Sequence, residues 1–181
     1  MKILLRRMIR AIKLDQLLFD EIVSDPSSQG QSVWAMAIFA MATAFGFFGM
    51  VGGTAVNIGL ITTMIAWYVW AFSVFYAGTR LFRVDGQRAD RKTVLRVVAF
   101  ASAPGIIRLL GIIPKSTLVI LIISSIWILI SATIGLKRVF PKTATAYIAA
   151  VTIGTWFAAS MFQVIMIVTL LSVFGVSQSA R

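Results

Sequence analysis

The 181-residue sequence contains no cysteine and no histidine. The first absence excludes a disulfide framework, a thiolate metal site and a lipid-modified cysteine. The second removes the commonest general base, metal ligand and pH switch. Acids are scarce too, six against 17 lysines and arginines, and none follows Asp90. No complete catalytic, metal or phosphate-binding constellation remains. The chain is therefore expected to need no cofactor and not to be an enzyme.

Charge is also missing over long distances. None occurs from Pro26 to Thr79, from Ser116 to Leu136 or from Thr143 to Ala180. With 59% hydrophobic residues and a mean hydropathy of +0.93, the chain is too apolar for a soluble domain of this size. A bilayer core asks for about 20 apolar residues per spanning helix, so the expected fold is all-α: a polytopic membrane protein with five spans and an N-terminal amphipathic segment. The net charge of +11 is what basic residues flanking spanning helices produce, and no nucleic-acid partner is inferred from it.

Residues 1–31 form the N-terminal segment, 32–176 the membrane domain and 177–181 a short tail. In the N-terminal segment Lys2, Arg6, Arg10 and Lys13 recur at helical spacing, opposite Leu4, Leu5, Met8, Ile9 and Ile12. Such a helix either lies among lipid headgroups or packs on the protein's own cytoplasmic face. Arg6, Arg7 and Arg10 interrupt any signal-peptide core. Asp15 is placed to cap a second short helix, Gln16 to Val23. Pro26 ends that helix, and Ser28 with Gln31 has the spacing of a capping box.

The spans are then expected at about Ser32–Val51, Val56–Thr79, Thr93–Ile113, Leu118–Leu136 and Ala144–Phe174, with tight turns at Gly52-Gly53-Thr54 and Pro114-Lys115. The last is longer than a bilayer needs. If the N-terminus is inside, the inner segments 1–32, 80–96 and 137–142 hold 14 of the 17 basic residues, as orientation by positive charge requires. A re-entrant third segment would put Lys137, Arg138 and Lys142 outside, against that rule. The multi-pass chain is thus expected to have its N-terminus inside and its C-terminus outside.

Arg96 and Arg108 are the charges within a span. At about 1.5 Å per residue they lie roughly 5 and 8 Å from its two ends, close enough to snorkel. Arg96 could instead pair with Asp85 or Asp90. Lys2, Arg6, Arg10, Lys13, Arg80, Arg96 and Arg108 together are the candidate contacts for anionic lipid or a partner. Pro104-Gly105 should kink the third span. A broken helix is where transporters hold substrates, which makes a small permease or channel subunit the alternative reading. Ala42-x-x-x-Gly46, Gly49-x-x-x-Gly53 and Ala150-x-x-x-Gly154 permit close helix approach, within one chain or in a homo- or hetero-oligomer. The five tryptophans read as interface or packing residues.

Motifs recur in a telling order: Arg10-Ala-Ile-Lys-Leu-Asp15, Leu18-Phe19-Asp-Glu-Ile22, Asp25-Pro26, Gly78-Thr-Arg80-Leu-Phe82, Phe100-Ala-Ser-Ala-Pro104-Gly105, Ile113-Pro114, then Trp127 and Lys137-Arg138. Over nearly its whole length the chain resembles bacterial members of the Yip (Ypt-interacting-protein domain) family. The resemblance implies a five-helix membrane domain with a cytosolic N-terminus. It also suggests a non-enzymatic protein that organises membrane or binds lipid or partners. Eukaryotic relatives associate with Rab-type GTPases and with one another, and have a long cytosolic N-terminal region and an acidic, tyrosine-containing motif. Neither the long region nor the motif is present here, so the Rab-type partner is not carried over, and the resemblance places this chain in a bacterial inner (plasma) membrane.

Overall fold

The computed structural model describes residues 2–81, 89–113 and 115–173, the side chains of 48–55 and 81 excepted. Among them all regular structure is helical: α1 (Lys2–Ile12), α2 (Gln16–Ser24), α3 (Gln29–Gly46), α4 (Phe48–Leu81), α5 (Arg91–Ala101), α6 (Thr117–Val139) and α7 (Thr145–Val173), with short 3₁₀ helices at Pro26–Ser28 and Ala103–Ile112. Asp85 and Pro114 lie outside the described residues.

Among the described residues four segments are long and apolar enough to cross a membrane: Val56–Arg80, Arg91–Ile112, Thr117–Val139 and Thr145–Val173. Five were expected, and α3 is the one that falls short. Its 18 residues begin Gln29-Gly30-Gln31-Ser32, leaving a mostly apolar run, interrupted by Thr43, of roughly 21 Å at the usual helical rise. The expected turn at Gly52-Gly53-Thr54 is also absent, because α4 is already helical there. The chain reverses at Phe47 instead. Gly46 sets that point: a Cβ on it would sit 2.1 Å from the Arg108 carbonyl oxygen, and one on Gly111 would sit 2.9 Å from the Gly46 carbonyl. The two backbones meet there directly, and the first bend comes earlier than the glycine pair suggests. The resulting α4 has 34 residues, about 50 Å, so it tilts or protrudes like α7.

The third span breaks where Pro104 demands it. α5 ends at Ala101, Ser102 closes it, and ten residues continue as 3₁₀ helix. Such helices seldom exceed three or four residues. Gly105 is needed at the bend because Phe39 fills the space of a side chain, 2.4 Å from where a Cβ would be.

The core runs through Phe19, Phe39, Trp67, Trp70, Val97, Phe100, Ile128, Leu136 and Phe140. Ala42 of the first small-residue pair is buried and Gly46 abuts Arg108, so that pair packs within the chain. A Cβ on Gly154 would have nothing within 4 Å, and the surroundings of Gly49 and Gly53 lie outside the described set. Leu118, Val119, Ile122, Ile123 and Ile126 on α6, with Phe157, Met161, Val164, Ile165 and Val168 on α7, are exposed. Apolar belts of that extent call for lipid.

Candidate functional site

The N-terminal helices form the first element of the site. α1 ends in a Schellman turn: Asp15 N–H donates to the Arg10 carbonyl (3.0 Å) and Leu14 N–H to the Ala11 carbonyl (3.0 Å), with Leu14 left-handed at φ 58°. Asp15 then caps α2 as expected, accepting from Leu17 N–H at 2.9 Å. The expected capping box does not form. The Ser28 hydroxyl donates to the Asp25 carbonyl (2.7 Å) and makes no cap bond to α3, while Gln31 is taken by Arg7 (3.1 Å).

Arg7, absent from the candidate contacts, holds this layer together. Its guanidinium donates to Glu21 at 2.6 and 2.9 Å, to Asp25 at 2.8 Å and to Gln31. Arg10 joins by donating to Asp15 and Glu21, both at 2.7 Å. Hydrogen bonds from Arg7 and Arg10 hold the Glu21 carboxyl below its ordinary range, and Arg10 does the same for Asp15. Asp25 is lowered first by Ser27 and then by Arg7. The layer is pinned to the membrane domain by Trp127, whose indole N–H donates to the Ile12 carbonyl (3.0 Å), and by Arg138 beside Asp20 (3.6 Å). Leu4, Met8 and Ala11 face inward and are buried, while Leu5 (60% exposed), Ile9 (44%), Lys2, Arg6 and Lys13 face outward. The two expected placements of α1 are thus not exclusive, since its inner face packs on the protein and its outer face remains open.

The other candidates scatter. Arg10 is committed to ion pairs, and Arg80 lies over the Tyr76 ring at 5.4 Å. Arg96 is buried, 4% exposed, and donates to the Val23 carbonyl (3.4 Å) and the Thr93 hydroxyl (3.0 Å). Asp90 instead caps α5. Arg108 turns inward rather than snorkelling. It is 9% exposed and donates to Ser124 (2.9 Å), Ser125 (3.1 Å) and Thr43 (3.2 Å), with the Phe39 ring 4.9 Å away.

Arg108 lies in the wall of a cavity of about 350 Å³. Phe39 and Thr43 of α3, Thr63, Trp67 and Trp70 of α4, Ser125 and Ile128 of α6, and Trp156, Ser160 and Gln163 of α7 line it. Trp67 donates to Ser102 at the helix break (3.1 Å) and Gln163 to Thr63 (2.9 Å). Polar side chains are few along the third span near Pro104, but α3, α4, α6 and α7 bring theirs to the cavity. The adjacent hydroxyls Ser124-Ser125, set between Ile122-Ile123 and Ile126-Trp127 in α6, were the available sequence signal.

A model of the Yip1 domain matches residues 16–167. The chain belongs to the Yip1-domain family. The match begins at α2 and ends within α7, so it takes in the Pro104 break, the cavity and Arg108. No curated protein and no solved structure matches the chain. Family membership and the apolar helices make this Yip1-domain protein a membrane protein. Among the described residues no group of His, Cys, Asp or Glu is placed to hold a metal ion.

Proposed function

We propose that this Yip1-domain protein is a non-enzymatic, five-span protein of a bacterial inner membrane, and that it organises lipid or a membrane partner through a fixed basic platform on its cytoplasmic face. The observation that carries this reading is α1. Docked by Leu4, Met8 and Ala11, it leaves Leu5 and Ile9 exposed beside Lys2, Arg6 and Lys13. Apolar side chains next to cations suit the boundary between acyl chains and anionic headgroups.

α3 is counted as the fifth span because it runs the length of the third. Gln31 near its start bonds the same Arg7 cluster that adjoins Val23 and Arg96, and Gly46 at its end meets Gly111. Neighbouring helices shield it, so a shorter apolar run suffices. The basic-residue count supports a cytoplasmic N-terminus and an outside C-terminus.

The test uses full-length protein in vesicles, with an environment-sensitive dye on single cysteines at Leu5 or Ile9. The expected result is a lipid-like signal in phosphatidylglycerol, reduced in phosphatidylcholine, by salt and by Lys2→Gln/Arg6→Gln/Lys13→Gln. A water-like signal in both lipids rejects the platform. The second reading, a small permease or channel subunit, draws on the cavity at the broken third span. Against it, no acid lies within any span, and coupled carriers usually need one. Substrate-dependent flux into proteoliposomes would favour it.

A further inference from the structure

Among the described residues Arg108 is a buried cation with no counter-charge. Its three side-chain partners are neutral hydroxyls. In the sequence no acid lies between Asp25 and Asp85 and none follows Asp90. The described acids are engaged in the N-terminal layer or, for Asp90, in capping α5. A lone charge in an apolar interior is costly unless paired. Three of the five guanidinium N–H groups are used, leaving two donors for a further acceptor.

The cavity beside Arg108 is graded. Phe39 and Thr43 of α3, with Phe47 just beyond its end, line the cavity over about 12 Å. The end where α3 meets α4 holds Arg108, Thr43, Ser125 and Thr63. The deeper end holds Trp70, Ile128 and Trp156. Phe39, Thr43 and the α4 wall are buried, whereas Phe47, Trp156, Ser160, Gln163 and Ile167 are half-buried and Val164 is exposed, so the cavity is unsealed along α7. Its 350 Å³ equals about a dozen water-sized groups, the low end of ligand-pocket sizes at about 300 Å³. That is room for one acyl chain.

We propose that this cavity binds a single-chain anionic amphiphile, its carboxylate or phosphate paired with Arg108 beside the Ser125 hydroxyl and its chain lying against Trp67, Trp70 and Trp156. A planar guanidinium with two spare donors matches two oxygens of either head. This site is separate from the basic platform and does not depend on it.

The test is tryptophan quenching of full-length protein in nonionic detergent by dibrominated stearate, with dibrominated stearyl alcohol as the neutral control. The expected result is saturable quenching by the acid at least about tenfold tighter than by the alcohol, the size of one charged hydrogen bond. Arg108→Gln should bring acid and alcohol to equal affinity. Ser160→Phe, which occupies the cavity from α7 without touching Arg108, should abolish saturable quenching while thermal unfolding stays cooperative. Should Arg108→Gln fail to fold, the acid–alcohol comparison and Ser160→Phe decide alone. Equal affinity of acid and alcohol in the unaltered protein, or undiminished quenching in folded Ser160→Phe, overturns the proposal. Dibrominated stearyl phosphate distinguishes the sources: tighter binding than the carboxylate points to a phosphate-headed lipid, weaker binding to a free fatty acid. Saturable quenching by neither overturns the site.

Discussion

Gly46 and Gly154 show how differently two glycines of the same apparent motif behave. A Cβ at Gly46 would overlap the Arg108 carbonyl, and backbone cannot move aside as a side chain tip can. Gly46→Ala should therefore destabilise by about 1–3 kcal/mol. Gly154→Ala meets open space and should be neutral or raise stability by up to about 1 kcal/mol through helix propensity. Thermal unfolding of both variants in one detergent checks this, and equal losses would mean that Gly154 faces a second chain. Nothing in the letters separates the two, because the cause is the neighbour brought up from another helix. Arg108 has the same lesson. Its isolation from acid was legible in the sequence, but its inward turn was not. Distance to the span's end favours snorkelling, and only Thr43, Ser124 and Ser125 from other helices make the interior preferable.

Among elements, the helix α2 and its Asp15 cap, the break at Pro104 and the length of α7 could be read from local residue types, since proline chemistry, capping and apolar length act within a few residues. The reversal at Phe47 could not, because Gly52-Gly53 is the stronger local turn signal and tertiary contact at Gly46 overrides it. The docking of α1–α2 is similarly non-local, as Arg7 meets acids 14 and 18 positions away. Asp15, Glu21 and Asp25 are depressed in the folded protein, so their contribution is complete above the unfolded carboxylate range near about pH 4. It is lost as pH falls through the depressed folded values. Amide exchange over residues 2–24 should be slow and constant from neutral pH down to about pH 5, and should accelerate below about pH 4 after correction for intrinsic rates. Arg7→Met should accelerate it already at neutral pH, whereas Arg6→Met, altering an exposed side chain, should not. The 3₁₀ segment yields a second prediction at this scale. A 3₁₀ helix turns about 120° per residue and an α-helix about 100°. If Pro104→Ala let α5 continue as α-helix, the four steps to Arg108 would rotate it by about 80° out of its hydroxyl ring. The variant should insert normally yet unfold at lower temperature, and it should lose the preference of the cavity for acid over alcohol. Unchanged stability and preference would show that the 3₁₀ form is set by neighbouring helices rather than by the proline.

At the scale of the whole molecule, the all-helical membrane architecture was legible because charge-free length is a direct consequence of lipid as solvent. The number of spans was less so. The polar start of α3 leaves it outside any criterion of length and apolar composition, and what argues for its crossing is its course beside the third span. The absence of cysteine makes the question experimentally clean, since single cysteines can be introduced without removing any. Five spans place Gln16 and Lys142 on one side and Lys115 on the other. The decisive pair is Ser27, which precedes α3, and Lys115, which follows the third span. If α3 crosses, a membrane-impermeant thiol reagent added to intact cells should label Lys115→Cys but neither Ser27→Cys nor Lys142→Cys, and Ser27→Cys should react only after permeabilisation. If α3 does not cross, Ser27 and Lys115 fall on the same side, while Lys115 and Lys142 still differ across α6. Labelling of Ser27→Cys in intact cells together with Lys115→Cys would reduce the count to four. It would also move the basic platform on α1 to the outer face, away from the side to which positive charge orients membrane proteins.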